Sequence, residues 1–389
     1  MPRSVLIFAL LALLGARIAH ADEPRILAAT PNTLEIAAAP TDAAPNALKM
    51  WVHTPSGTLR LTLEPAQAFA RMLAPQIAAV RRGQTRFYDG HVIGQPGSWV
   101  RLTRIGTEWS GAIRSGDDLW LIDPASQHPV LAGRMGARAG EALVFRDTDI
   151  IGIDRVDFGA VLPPFAATPS ARLNRPATVQ LDTPQALGIT LVLDTEFQQQ
   201  YGSSAESVAA AALHVADGFY SAQLNTHLLV YAIQSLASNG SLTSTDSGAL
   251  LDAFSAYSSA GLPFSGLAHL LSGKNFDGST IGLAWLGSPQ TNFVPTLCDS
   301  QWGTGVDQAT FSIAYNGSLL AHEMGHNFGA SHDGDGNSCP SSGYIMEPSL
   351  HGATAFSTCS LTAINAYLDA RQPACLTPFN DVIFQNDFE

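Results

Sequence analysis

Residues 322–333 read His-Glu-Met-Gly-His-Asn-Phe-Gly-Ala-Ser-His-Asp, and no other stretch of the 389 residues constrains the fold so tightly. His322 and His326 are four apart, so on a helix they face the same way, one turn apart. Two imidazoles so placed can grip one Zn2+ at about 2.0–2.1 Å each. Glu323 neighbours the first of them and can hydrogen-bond a zinc-bound water without binding the metal itself. Gly329 permits the positive φ that ends a helix and turns the chain back. That return brings in His332 as a third nitrogen ligand. Three protein ligands leave a fourth position open, which marks a catalytic rather than a structural zinc site. His-Glu-x-x-His alone matches by chance in roughly one chain in twenty of this length; Gly329 and His332 lower that about 400-fold.

The surroundings of the motif point to export. Arg3 precedes an unbroken apolar run, Val5 to Leu14, and Ala19-His20-Ala21 offers small residues where a signal peptidase reads. Residues 1–21 therefore read as a removed signal peptide, too short in its apolar part to anchor in a membrane. No later apolar run approaches the ~18–20 residues that a membrane span needs. An oxidising compartment lets the four cysteines form two disulfides, in any of three pairings. The composition, rich in Ala and in Arg over Lys, points to a GC-rich bacterial source. With 46% hydrophobic residues the chain can bury a sizeable core, and its net charge of −13 argues against nucleic acid as a partner.

Charge divides what remains. Residues 22–175 hold 16 basic and 15 acidic residues, whereas 176–389 hold 2 basic (Lys274 and Arg371) and 18 acidic ones. All four cysteines lie in the second part. The junction, from Pro163-Pro164 to Arg172-Leu-Asn-Arg175-Pro176, is rich in Pro and small residues and reads as an exposed linker. A trypsin-like protease would cut it after Arg172, because Pro176 hinders cleavage after Arg175. The first unit reads as mainly β, from alternating runs such as Leu59–Leu63, Ser98–Leu102, Glu108–Ile113 and Leu119–Ile122. The second alternates strand and helix and reads as an α/β sheet domain. Its strands are Leu187–Leu193, Thr226–Ile233 and Ser279–Leu286. Its helices are Ser204–Asn225, Asp246–Tyr257, Ser318–Phe328 and Leu361–Leu368.

The run His322–Asp333, followed by Met346 in Gly343-Tyr-Ile-Met346, resembles the metzincin zinc peptidases. Asp333 after the third histidine resembles their adamalysin, or reprolysin, ADAM-like branch. Leu271–Ala284 and Ala355–Ser360 are similar to segments of that branch, and Arg86–Val100 is similar to its prodomain. The resemblance implies a metzincin-type catalytic domain: a twisted, mostly parallel sheet, a zinc-binding active-site helix and a small irregular lower subdomain from His332 to Cys375. A mainly β prodomain would precede it. The implied division is 1–21 signal peptide, 22–175 prodomain, 176–377 catalytic domain and 378–389 tail. The resemblance also implies Met346 packed beneath the zinc site and the pairings Cys298–Cys375 and Cys339–Cys359. A structural Ca2+ near the last cysteine is left open.

Two departures from the family matter. Residues 22–297 contain no cysteine, so a prodomain thiol cannot hold the zinc. The chain stops 14 residues after Cys375, so disintegrin and cysteine-rich modules are expected to be missing. The expectation is a secreted, monomeric zinc endopeptidase made as a zymogen. Glu323 would serve as general base and then acid, and the partners would be protein or peptide substrates and the chain's own prodomain. The same motif would also suit a zinc hydrolase of a non-protein substrate. A catalytically silent binding protein on this scaffold should have lost Glu323 or a histidine, and none is lost.

Overall fold

The computed structural model describes residues 25–38, 48–151, 157–165, 183–349 and 353–379. The signal segment 1–21, Arg172 and residues 380–389 of the tail lie outside these. In the first unit, nine described strands form one antiparallel sheet. Its spatial order is 30–32, 142–146, 118–124, 108–115, 99–105, 85–92, 57–65, 48–54 and 37–38. The alternation read from the sequence gives this sheet two working faces. Val100 and Leu102 point to a core internal to the unit, with Met50, Leu61, Trp109 and Ile122. Trp99, Arg101 and Thr103, on the same strand, point the other way, into the second unit.

The second unit is a mixed sheet with helices packed on it. Its strands are β1 (Asp157–Val161), β2 (Gln185–Leu193), β3 (Thr226–Ser235), β4 (Leu267–Ser272), β5 (Thr280–Trp285) and β6 (Thr304–Gln308). They lie in the order β1-β5-β6-β4-β2-β3. β2 runs parallel to β3 and β4, and β4 is parallel to β6; β5, with β1 parallel beside it, runs antiparallel to β6. Leu187, Ile189 and Leu191–Leu193 are fully buried, as expected of a central strand covered on both faces. A short strand, Thr377–Pro378, pairs antiparallel with Gln185 and Ala186, so the start of the tail is an edge of this sheet. β1 comes from the stretch that the sequence assigns to the first unit, yet it is hydrogen-bonded into the second unit's sheet.

Between the two sheets runs α1 (Ala205–Leu224). Nearly all of its residues are buried, which is the signature of a helix enclosed on every side rather than amphipathic. Val208, Ala211, Val215 and Phe219 share one apolar core with Phe87, Trp99, Leu121 and Phe145 of the first unit. Trp99 meets Phe219 edge to face at 4.9 Å, and a Cβ on Gly218 would come within 2.7 Å of the Trp99 ring. Further helices of this unit are α2 (Ser247–Ser259), α3 (Ile313–Asn327) and α4 (Thr358–Arg371), with a short one, Thr195–Tyr201, ahead of α1. Cys298–Cys375 ties the end of the domain to the segment before β6, and Cys339–Cys359 clips the loop before Met346 to the start of α4. Of the three pairings open on sequence, this is the one the resemblance implies.

Candidate metal centre

α3 carries the first two histidines and the glutamate. Ser312 caps it, accepting the Tyr315 N–H at 3.0 Å, so the helix begins five residues earlier than the sequence reading placed it. Every residue of α3 is buried. The helix ends at Asn327, and Gly329 adopts φ +96°, a conformation that disfavours any side chain. A Cβ there would also fall 2.9 Å from Tyr367. The chain then doubles back and delivers His332.

The three histidines meet. Nε2 of His322 lies 3.0 Å from Nε2 of His326 and 3.3 Å from Nε2 of His332. Two nitrogens bound to one tetrahedral zinc at ~2.0–2.1 Å stand about 3.4 Å apart, so these separations suit a shared ion. The other ring nitrogens of the first two are held by the backbone: His322 Nδ1 faces the Ile345 carbonyl at 2.5 Å and His326 Nδ1 the Ala330 carbonyl at 2.8 Å. Such contacts fix the tautomer that turns Nε2 to a metal. Burial, then the neighbouring imidazoles, hold His322 well below the ordinary histidine range; burial chiefly takes His326 to about 3. Both are therefore neutral, as a ligand must be. Among the described residues, no other group of three or more His, Cys, Asp or Glu is placed to hold a metal ion.

Glu323 is fully buried, and neither of its carboxylate oxygens has a hydrogen-bond partner. Burial, with Asp307 as a lesser cause, pushes its carboxyl well above the usual range. The carboxylate lies against β5 at Gly282, where any Cβ would collide with it. An unsatisfied buried carboxyl is costly and marks a group kept for chemistry or for a small ligand.

Met346 is fully buried with its sulfur against Gly325, one residue before His326; a Cβ at Gly325 would strike it. Its carbonyl accepts the Asp333 N–H at 2.8 Å. Asp333 in turn accepts hydrogen bonds from the hydroxyls of Ser357 (2.5 Å) and Ser360 (3.1 Å), which pins the returning chain to α4. Behind α3, Asn327 donates to the carbonyls of Trp285 and Thr304 while its Oδ1 faces His269 Nε2 at 3.1 Å. His269 Nδ1 faces Asp307 at 2.8 Å. The sequence reading did not single out these supports. A histidine inside the apolar run Leu267-Ala-His-Leu-Leu271 was the available signal, because a buried polar group needs a partner.

Residues 183–357 match the model of Metallo-peptidase family M12 (Reprolysin_5). A "Zinc metalloproteinase/disintegrin" from Bitis gabonica is 35% identical over 109 residues, which are 27% of this chain and 31% of that protein. The chain thus spans about a third of that relative's length. The match lends no support to the bacterial source read from composition.

Proposed function

Because residues 183–357 match the model of Metallo-peptidase family M12, we propose that the chain is a secreted zinc-dependent endopeptidase made as a zymogen. In this reading residues 1–21 direct export, 22–175 form the prodomain, 176–377 the catalytic domain and 378–389 a tail. The observation that carries it is the convergence of three imidazole Nε2 atoms beside a buried carboxyl without a partner. His322, His326 and His332 would hold the ion. When bound, zinc would polarise the scissile carbonyl and make a water molecule acidic enough to attack at neutral pH. Glu323 takes the proton from the attacking water and passes it to the leaving amine. The rigid backing of α3, through Asn327, Gly325 and Met346, keeps the carboxyl and the imidazoles in register during the transfer. The two disulfides support export.

The test is hydrolysis of denatured casein by the chain after its linker has been cut. Activity should fall to background with a zinc chelator and return when zinc is added back. Hydrolysis that survives complete removal of zinc would overturn the reading.

A further inference from the structure

Beneath α3 the sheet holds two further buried titratable side chains, His269 on β4 and Asp307 on β6. Both ring nitrogens of His269 are engaged: Nδ1 faces Asp307 Oδ2 at 2.8 Å and Nε2 faces Asn327 Oδ1 at 3.1 Å. The Asn327 amide has one workable orientation, because its Nδ2 donates to the carbonyls of Trp285 and Thr304. His269 is therefore flanked by two acceptors. A neutral imidazole has one N–H to give, and two acceptors call for two. The hydrogen shared with Asp307 stays on the ring, since imidazole is a stronger base than a carboxylate. His269 is thus an imidazolium and Asp307 a carboxylate.

The second unit offers Asp307 no other countercharge. Its two basic side chains are committed elsewhere: Lys274 pairs with Asp194 at 2.6 Å and Glu196 at 3.3 Å, and Arg371 donates to the carbonyls of Ser288 and Phe293. The ion pair with His269 engages one oxygen of Asp307. The other, Oδ1, is buried without a hydrogen-bond partner, as are both oxygens of Glu323. These orphan oxygens lie on one side of the sheet. Asp307 is the cross-strand partner of Gly282. Partners in an antiparallel pair project to the same face, with Cβ positions about 4.5–5.5 Å apart. The Glu323 carboxyl fills the space where a Gly282 Cβ would stand. A pinned carboxylate therefore borders Glu323 from the sheet. A buried ion pair contributes little stability of its own, so what this one supplies is a negative charge that cannot move.

We propose that Asp307, fixed by the His269 imidazolium, is a positioning residue for Glu323: its charge repels the Glu323 carboxylate from the sheet and turns it towards the imidazole cluster. This deepens the peptidase reading above and rests on it. Asp307→Asn isolates the charge. An Asn amide at 307 can still donate to Nδ1 of a neutral ring, whose Nε2–H still reaches Asn327, so the hydrogen bonds survive and only the charge is lost.

Two measurements test it. Nitrogen NMR of the metal-free full chain, labelled at histidine, is read at about pH 8, where an ordinary histidine is neutral. Both ring nitrogens of His269 should carry hydrogen in wild type, and one of them in Asp307→Asn. A neutral His269 in wild type overturns the proposal even if the variant fails to fold. Casein hydrolysis is then compared between linker-cut wild type and linker-cut Asp307→Asn, both loaded with zinc. The variant should show a kcat lower by about tenfold with KM within about twofold, one zinc per chain and an unchanged melting temperature. An unchanged kcat overturns the positioning role. So does a fall in kcat that comes with lost zinc or a lowered melting temperature, because Asp307 would then be a plain structural support. If linker-cut wild type is itself inert, the peptidase reading fails and the positioning role falls with it. An active wild type beside an equally active variant overturns the positioning role alone.

Discussion

Glu323→Ala should lower casein hydrolysis by the linker-cut chain by about 10²–10⁴-fold while leaving one zinc per chain. Both halves of this result matter. Glu323 lies between His322 and the rest of α3 but is not among the residues whose nitrogens converge, so its loss should not cost metal. The carboxyl is buried and makes no hydrogen bond within the protein, so its removal breaks no structural contact of that kind. Relief of an unsatisfied buried carboxyl should even raise the melting temperature slightly. Zinc content by metal analysis and the rate of hydrolysis are measured on the same preparation. A variant that keeps zinc and full activity would remove Glu323 from the chemistry. A variant that loses zinc would make it a ligand or a support for one.

Arg101→Met should weaken the contact between the two units by about 3–5 kcal/mol, because it strips the countercharge from a buried carboxylate. Arg101 is 7% exposed and Asp217, on α1, is 4% exposed. The guanidinium donates to Asp217 at 2.9 Å through Nε and approaches it at 2.8 Å through Nη2; it also donates to Ser221 at 2.8 Å. Burial works to raise the Asp217 pKa, but Arg101, His227 and the Leu228 N–H together outweigh it and hold the group well below the ordinary carboxylate range. His227, pulled down by burial, is raised overall by its hydrogen bond to Asp217 together with that carboxylate's charge. The signs give a direction. The depressed carboxylate, charged opposite Arg101, strengthens the contact above its ordinary pKa of about 3.9, and that is lost as pH falls through the folded value. The raised histidine stabilises the second unit itself rather than the contact, because His227 and Asp217 both belong to that unit. The contact should be firm above the carboxylate's titration and weaken in acid. Size-exclusion chromatography of the linker-cut chain reads it directly: wild type should stay associated above that titration, and Arg101→Met should separate. Co-elution of the variant's fragments at every pH would show that the apolar contacts alone hold the units.

The parts legible in the sequence were those with a local period or a fixed spacing. The helical spacing of His322 and His326, the turn at Gly329 and the alternation along residues 99–105 each announce a local shape. The start of α3 was not legible. Asn316-Gly317 looks like a turn, yet Gly317 sits mid-helix where a Cβ would fall 2.5 Å from Val215 Cβ. Close crossing of α1 and α3 requires a glycine there, so packing overrides its poor helix propensity. β6, Thr304-Gly-Val-Asp-Gln308, is too short and too polar to declare itself, and β1 has its partner more than 100 residues away. The contact of Arg101 with Asp217 is of the same kind. Two charges 116 residues apart leave no pattern in the chain that joins them.

α1 has a thermodynamic consequence. A helix that shares one apolar core with the sheets on both of its sides cannot keep its burial when either sheet melts. The first unit would lose its partner for Trp99 and Phe87, and the second would be left with Phe219 and His214 facing water. The intact chain is therefore a single cooperative block despite the sharp charge divide along its sequence, and its calorimetric signature is one heat-absorption peak where two independent domains would give two.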